Sequence, residues 1–130
     1  MAASHAAASS YPETNDSMVV VTNVPVLPSQ DLDRSAAFYA RLGYRVLRRY
    51  PDYLILSGGA AELHLALMPL DPSRNPAGVY LRVQGVDEIA QAMGAVTLEK
   101  PWGQREFALA DPDDNLLRIG EPVSSSDTID

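Results

Sequence analysis

Lys100–Glu121, KPWGQREFALADPDDNLLRIGE, decides the fold. Pro101-Trp102-Gly103 is a punctuated loop that holds the only tryptophan of the chain. Arg105–Ala110 alternates polar and apolar residues, the pattern of a half-buried strand. Asp111-Pro112-Asp113-Asp114-Asn115 is a turn, with proline fixing φ and Asp and Asn tolerating turn geometry. Leu116–Ile119 then returns as a strand. Just upstream, Val79–Gln84 is a strand and Val86, Ile89, Ala90 and Met93 form the apolar stripe of a short helix. Gly94 closes that helix, and Ala95–Glu99 is a further strand.

The same order stands earlier in the chain. Met18–Val21 is an apolar run that Val24–Leu27 continues, with Pro25 forcing a break, a bend or an edge position. Asp31 is an N-cap and Asp33 suits the first turn of the following helix. Leu32, Ser35, Phe38/Tyr39 and Leu42 share its inner face, and Gly43 ends it. Tyr44–Tyr50, Tyr53–Leu56 and Glu62–Met68 are strands. In the last, Leu63, Leu65 and Leu67 face one side and Glu62, His64, Ala66 and Met68 the other. Pro69–Gly78, with three prolines, separates the halves. Each half reads β-α-β-β-β, and neither can bury both faces of its sheet alone. The pattern predicts an α+β protein: two βαβββ modules forming a shared cleft, helices outside, and the His64/Met68 face lining the cleft.

The chain has 130 residues, 46% of them hydrophobic, which suits one folded domain. The expected boundaries are a flexible tail at 1–17, a domain at 18–122 with halves at about 18–68 and 78–122, and a flexible tail at 123–130. No apolar run approaches the roughly 20 residues of a membrane span. The Ala/Ser-rich start is a poor secretory signal, so cytoplasmic residence is expected. Without cysteine there is no disulfide, thiolate nucleophile or Cys-based zinc site. Four of the 17 acidic residues lie in the tails, leaving 13 against all 10 basic residues, a net of −3 for the domain. That balance argues against nucleic acid as a partner. The Arg45, Arg48, Arg49 cluster is a solvated strand surface. With one histidine in the domain, no Ser-His-Asp arrangement is available. Gly58-Gly59 is a hairpin turn rather than a phosphate loop.

VPVLPSQDLDRSAAFYARLGYRV (Val24–Val46) and PWGQREFALADPDDNLLRIGE (Pro101–Glu121) together resemble the vicinal oxygen chelate superfamily, and within it the bleomycin resistance proteins. The similarity runs over about residues 19–121. Superfamily enzymes hold a divalent metal with His, Gln or Glu. Those positions fall near Val24, near Val79, at Arg118, and on the strand carrying Glu62, His64 and Ala66. Two valines and a permanent cation do not ligate. The resemblance therefore implies a protein without catalytic or metal-binding residues and without a cofactor of its own, any metal arriving with the drug.

The resemblance implies a homodimer with drug sites in clefts at the interface, and an N-terminal strand, Val19–Asn23, exchanged between subunits about a hinge at Pro25. It places ligand-stacking aromatics at Tyr53 and Trp102. A further family aromatic falls on Arg48, with Tyr50 the nearest ring, so either group serves there. Gln104 is an additional residue beside Gly103, shifting how the Trp102 loop meets its strand. Asp52 is placed to meet a cationic tail, and His64, Met68, Tyr80 and Arg118 to line the cleft. Arg82 and Arg118 are expected to pair with Glu62 or Glu106 across strands. The implied function is binding of bleomycin-type glycopeptide antibiotics by sequestration. The alternatives are a metal-dependent superfamily enzyme, glyoxalase-like or a dioxygenase, and a binding module for another planar small molecule.

Overall fold

A computed structural model describes residues 13–15 and 17–123, so the expected tails at 1–17 and 123–130 lie almost wholly outside the described residues. The first module consists of β1 (Val26–Ser29), α1 (Leu32–Ala40), β2 (Arg45–Tyr50), β3 (Tyr53–Gly58) and β4 (Ala61–Leu67). The second consists of β5 (Gly78–Arg82), α2 (Val86–Ala92), β6 (Leu98–Glu99), β7 (Gln104–Ala110) and β8 (Leu116–Pro122). Their sheets have the same topology, β1-β4-β3-β2 and β5-β8-β7-β6. In each, the first strand runs parallel to the last and the other pairs are antiparallel. This is the expected α+β arrangement of two βαβββ modules.

Local sequence explains the elements. The Asp31 side chain accepts from the Arg34 amide at the start of α1, and Gly43 beyond its end takes φ +91°. Helix α2 has no side-chain cap of its own; the Glu121 carboxylate reaches over from β8 to accept from the Val86 amide at 2.6 Å. Leu27, Leu32, Tyr39, Leu54, Leu56, Leu63 and Leu65 from the first module join Leu81, Val86, Phe107, Leu117 and Ile119 from the second in one core. Each fully buried leucine is worth about 1.5–3 kcal/mol over an exposed one.

Three expectations are corrected. Met18–Val21 forms no strand; these four residues are 70–93% exposed. A strand needs a ladder, and this arm finds no partner within the described chain; β1 begins immediately after Pro25. Ala95–Glu99 shortens to Leu98–Glu99, because β6 is an edge with only two residues in register with β7. Leu67 lies at the open end of β4 and is 42% exposed, unlike Leu63 and Leu65.

The turn Asp111–Asn115 joins the modules. Asp111, Asp113 and Asn115 are buried. The Asp111 carboxylate accepts from Tyr39 Oη at 2.6 Å, the Asp113 and Asn115 amides, and Asn115 Nδ2. The Asp113 carboxylate accepts from the Gln30 amide, Ser35 Oγ and the Arg34 guanidinium at 2.9 Å. Asn115 Nδ2 also donates to the Pro28 carbonyl, and Asn75 Nδ2 donates to Asn115 Oδ1. Burial, with the bond to the Asp111 carboxylate second, raises the Tyr39 pKa far above its ordinary 10.0. Above pH 10 the unfolded chain therefore sheds this proton while the folded chain keeps it. We expect stability to fall there by about 1.4 kcal/mol per pH unit from this residue. Chemical denaturation of the wild type and Tyr39→Phe between pH 9 and 11.5 checks it, the variant having the shallower slope.

Candidate functional site

Strand alternation separates two faces of the second sheet. Leu81, Phe107, Leu117 and Ile119 enter the core. Tyr80 and Arg82 on β5, Gln104 and Glu106 on β7, and Arg118 on β8 stand on the opposite face. The register sets Tyr80 beside Arg118 and Glu106 beside Gly120. Glu106 is the centre of this face and only 2% exposed. Its Oε1 accepts from Tyr80 Oη and Trp102 Nε1, each at 3.0 Å. Its Oε2 accepts from Arg118, Nε at 3.2 Å and one terminal nitrogen at 2.8 Å. Burial works to raise the Glu106 pKa, but the bonds from Trp102, Arg118 and Tyr80 outweigh it and hold the carboxyl below 4.5. Tyr80 moves the other way: burial first, then its bond to Glu106, raise the phenol, against the lowering charges of Arg82 and Arg118.

The anchored Trp102 ring is still 57% exposed. The Arg118 guanidinium lies 5.5 Å and the Lys100 ammonium 5.8 Å from its centroid, within cation–π range. Tyr80, Arg82, Trp102, Gln104 and Arg118 line an open cavity of about 380 Å³. Gly120 leaves room for Tyr80 to reach Glu106: a β-carbon there would lie 2.5 Å from Tyr80 Oη and 2.8 Å from Glu106 Cβ.

The first sheet carries a second polar group. Tyr53 Oη bonds His64 Nδ1 at 2.7 Å, and His64 Nε2 bonds Glu62. A carboxylate only accepts, so Nε2 carries the proton, and a neutral ring then accepts the Tyr53 hydroxyl proton at Nδ1. Cross-strand pairing of Tyr50 with Tyr53 and of Arg48 with Ile55 puts Arg48, Tyr50, Tyr53 and His64 on one face.

Of the residues expected to meet a ligand, Tyr80, Trp102, Gln104 and Arg118 come together, with Gly103 in the adjoining turn at φ +81°. Tyr53 and His64 form the other group. Arg48 and Tyr50 are exposed on the edge strand β2; Asp52 is in the exposed turn after it, and Met68 is exposed beyond β4. A larger cleft, about 610 Å³, opens between the modules. Pro25, Tyr44 and Glu62 line it from one side and Val79, Tyr80 and Ile89 from the other. Neither His64 nor Met68 is in its walls, against expectation, because the sheets turn their apolar faces into the common core and leave the His64 face outside. Arg118 pairs with Glu106, as expected; Arg82 instead lies 5.8 Å from the Tyr80 ring centroid. Arg49 pairs with Asp33 of α1, and the whole of β2 is exposed. Sequence reading missed Glu106 as an organiser and Gly120 altogether. The alternation of β7 put Glu106 outward, but nothing local showed that three donors converge on it.

The donor set does not suit the superfamily's divalent metal. Val24 and Val79 offer no ligand, Arg118 is committed to Glu106, and among the described residues no three His, Asp or Glu side chains converge.

Fold and site together define a two-module protein of the vicinal oxygen chelate class, with two valines and an arginine at three of the positions where the resemblance places its metal ligands. Comparison with known proteins narrows this. A family profile described as bleomycin resistance protein-like N-terminal matches residues 21–59. The bleomycin resistance protein of Klebsiella pneumoniae is 33% identical over 110 residues, covering 73% of this chain and 87% of the relative. A bleomycin resistance determinant encoded on transposon Tn5 superposes with a TM-score of 0.73 at 30% identity, over 79% of this chain and 98% of that one. A bleomycin-binding protein solved in complex with bleomycin gives 0.72 at 30% identity, over 78% and 98%. A glyoxalase-related enzyme from Clostridium phytofermentans, 20% identical, shares the fold (TM-score 0.66, 83% and 99% covered). The chain belongs to the bleomycin resistance protein family.

Two predictions test the site. Since folding lowers the Glu106 pKa, its contribution to stability is complete above pH 4.5 and is lost as pH falls through the lower folded value. Thermal melts of the wild type and Glu106→Gln should therefore differ most above pH 5 and converge towards pH 3. Gly120→Ala should push Tyr80 off Glu106 at a cost of about 1–3 kcal/mol, read as a lower urea midpoint and a shifted Trp102 indole N–H resonance.

Proposed function

We propose that the protein binds bleomycin-type glycopeptide drugs and confers protection by stoichiometric sequestration, without catalysis. The observation that carries this reading is the similarity in sequence and fold to a protein solved with bleomycin bound, combined with the exposed, anchored Trp102 ring. A flat heteroaromatic such as a bithiazole gains about 0.5–1.5 kcal/mol from stacking on such a face, beyond the area it buries. Absence of ligating side chains at positions 24, 79 and 118 favours binding over metal-dependent chemistry. The protein needs no cofactor in this reading, and any metal comes in with the drug.

In this reading the binding unit is a homodimer. Both sheets of one chain turn their apolar faces into a single core, so the Tyr53 face and the Trp102 face lie outside it. Bringing Tyr53 and Trp102 onto one planar ligand takes a second copy, with Tyr53 from one subunit and Trp102 from the other. The exposed apolar arm Met18–Val21, upstream of Pro25, is suited to complete a neighbour's sheet by strand exchange. Soluble cytoplasmic residence fits an agent that intercepts a drug before it reaches DNA. Among the described residues no helix is long and apolar enough to cross a membrane.

Titration of the purified protein with bleomycin, metal-free and copper-loaded, tests the proposal through Trp102 fluorescence. Saturable quenching at one drug per subunit with micromolar or tighter Kd is expected, about −8 kcal/mol or better. Trp102→Ala and Tyr53→Ala should each weaken binding about tenfold or more with the dimer intact by light scattering. Unaltered affinity in both variants would remove the site assignment, and no binding by calorimetry would remove the drug.

A further inference from the structure

We infer that the cavity beside Trp102 is a subsite for a flat aromatic group bearing an anion, a carboxylate or a sulfonate, and that Arg82 selects for that charge. Three observations carry this. First, the one acid of the cavity is already used up. Glu106 is buried and accepts from Tyr80, Trp102 and Arg118 through both oxygens, so it has no exposed oxygen to offer a ligand cation. Second, the positive charge is in excess. Arg118 neutralises Glu106, while Arg82 is exposed and has no carboxylate within ion-pair distance among the described residues. Lys100 adds a further cation at the Trp102 ring.

Third, the remaining walls are aromatic. Arg82 and Arg118 both lie against Tyr80, at 5.8 and 5.9 Å from its ring centroid, and Arg118 also lies against Trp102. Hydrogen-bonding capacity left in the cavity is therefore chiefly guanidinium N–H, which donates and does not accept. Gln104 supplies the one side chain able to do either. A guest that stacks on the rings and presents oxygen acceptors to Arg82 matches the free guanidinium. A cationic guest meets like charge with no free carboxylate to offset it. The inference goes beyond the drug reading. A bleomycin-type ligand placing its ring here must send its cationic tail elsewhere, and failure of bleomycin to bind leaves the charge preference standing.

The test uses three probes of one shape: 2-naphthoate, neutral 2-naphthamide and 2-naphthylmethylammonium. Each is titrated into the full-length 15N-labelled protein while the single Trp102 indole N–H resonance is followed. The expected order of affinity is naphthoate, then amide, then ammonium, with naphthoate ahead of amide roughly three- to tenfold for a partly exposed charge pair. The preference should shrink with added salt, fall to about parity in Arg82→Gln through a larger loss for naphthoate than for amide, and persist in Arg82→Lys. Equal affinity of naphthoate and amide, tightest binding of the ammonium, or no saturable shift with naphthoate at millimolar concentration would overturn it.

Discussion

Two buried carboxylates in one five-residue turn hold the two modules in a fixed relation. Asp111 and Asp113 each have their acceptor sites filled by donors from α1, from the segment after β1 and from the turn itself. Removing a charge from water costs several kcal/mol, and only complete satisfaction recovers it. The network is therefore effective as a whole or not at all, and among the described residues no buried side-chain polar atom lacks a partner. Asp114 adopts φ +67° within the turn, a conformation that Asp tolerates better than most residues. The module interface is thus specified by polar geometry, while the apolar core around it supplies the bulk of the stability.

The site inherits its precision from that constraint. The turn fixes where β8 starts, and the β7–β8 register then puts Gly120 across from Glu106 and Arg118 across from Ala108. A slip of one residue would send Glu106 into the core and Phe107 to the surface. Glu106 then repeats, on the outer face, what Asp111 does inside. A buried carboxylate collects three donors and locks the rings that carry them. Trp102 is in consequence a loop residue pinned through its indole N–H while more than half of its surface stays exposed.

The module order, the position of α1 with its Asp31 cap, and the hairpin at its turn were all legible in the sequence, because periodicity and capping are local signals. Tertiary pairing was not. The residues Asp111-Pro112-Asp113-Asp114-Asn115 read as a turn, and only the fold shows that three of them are buried. Met18–Val21 read as a strand because four apolar residues in a row satisfy the local rule, while the missing ladder partner is a property of the whole chain. Among the candidate site residues, Tyr80, Trp102, Gln104 and Arg118 were singled out through alternation and resemblance, and they line one cavity. Gly120 carried no signal, since its role is to leave room for Tyr80 and Glu106, which come from other strands.

The two polar faces differ in a way that bears on any ligand spanning them. On the first sheet, Glu62 bonds a half-buried histidine and is itself partly exposed, and Asp52 stands in an exposed turn. Those acids remain open to a cation. On the second sheet the acid is sealed and the arginines are open. A guest reaching from one face to the other in the proposed dimer would meet Glu62 and Asp52 beside Arg48 at the Tyr53 end, and arginine with no free acid at the Trp102 end. Ring stacking alone would accept such a guest in either direction. The open acids lie on one face only, so in the proposed dimer electrostatics would favour one direction and the aromatic faces would supply the affinity.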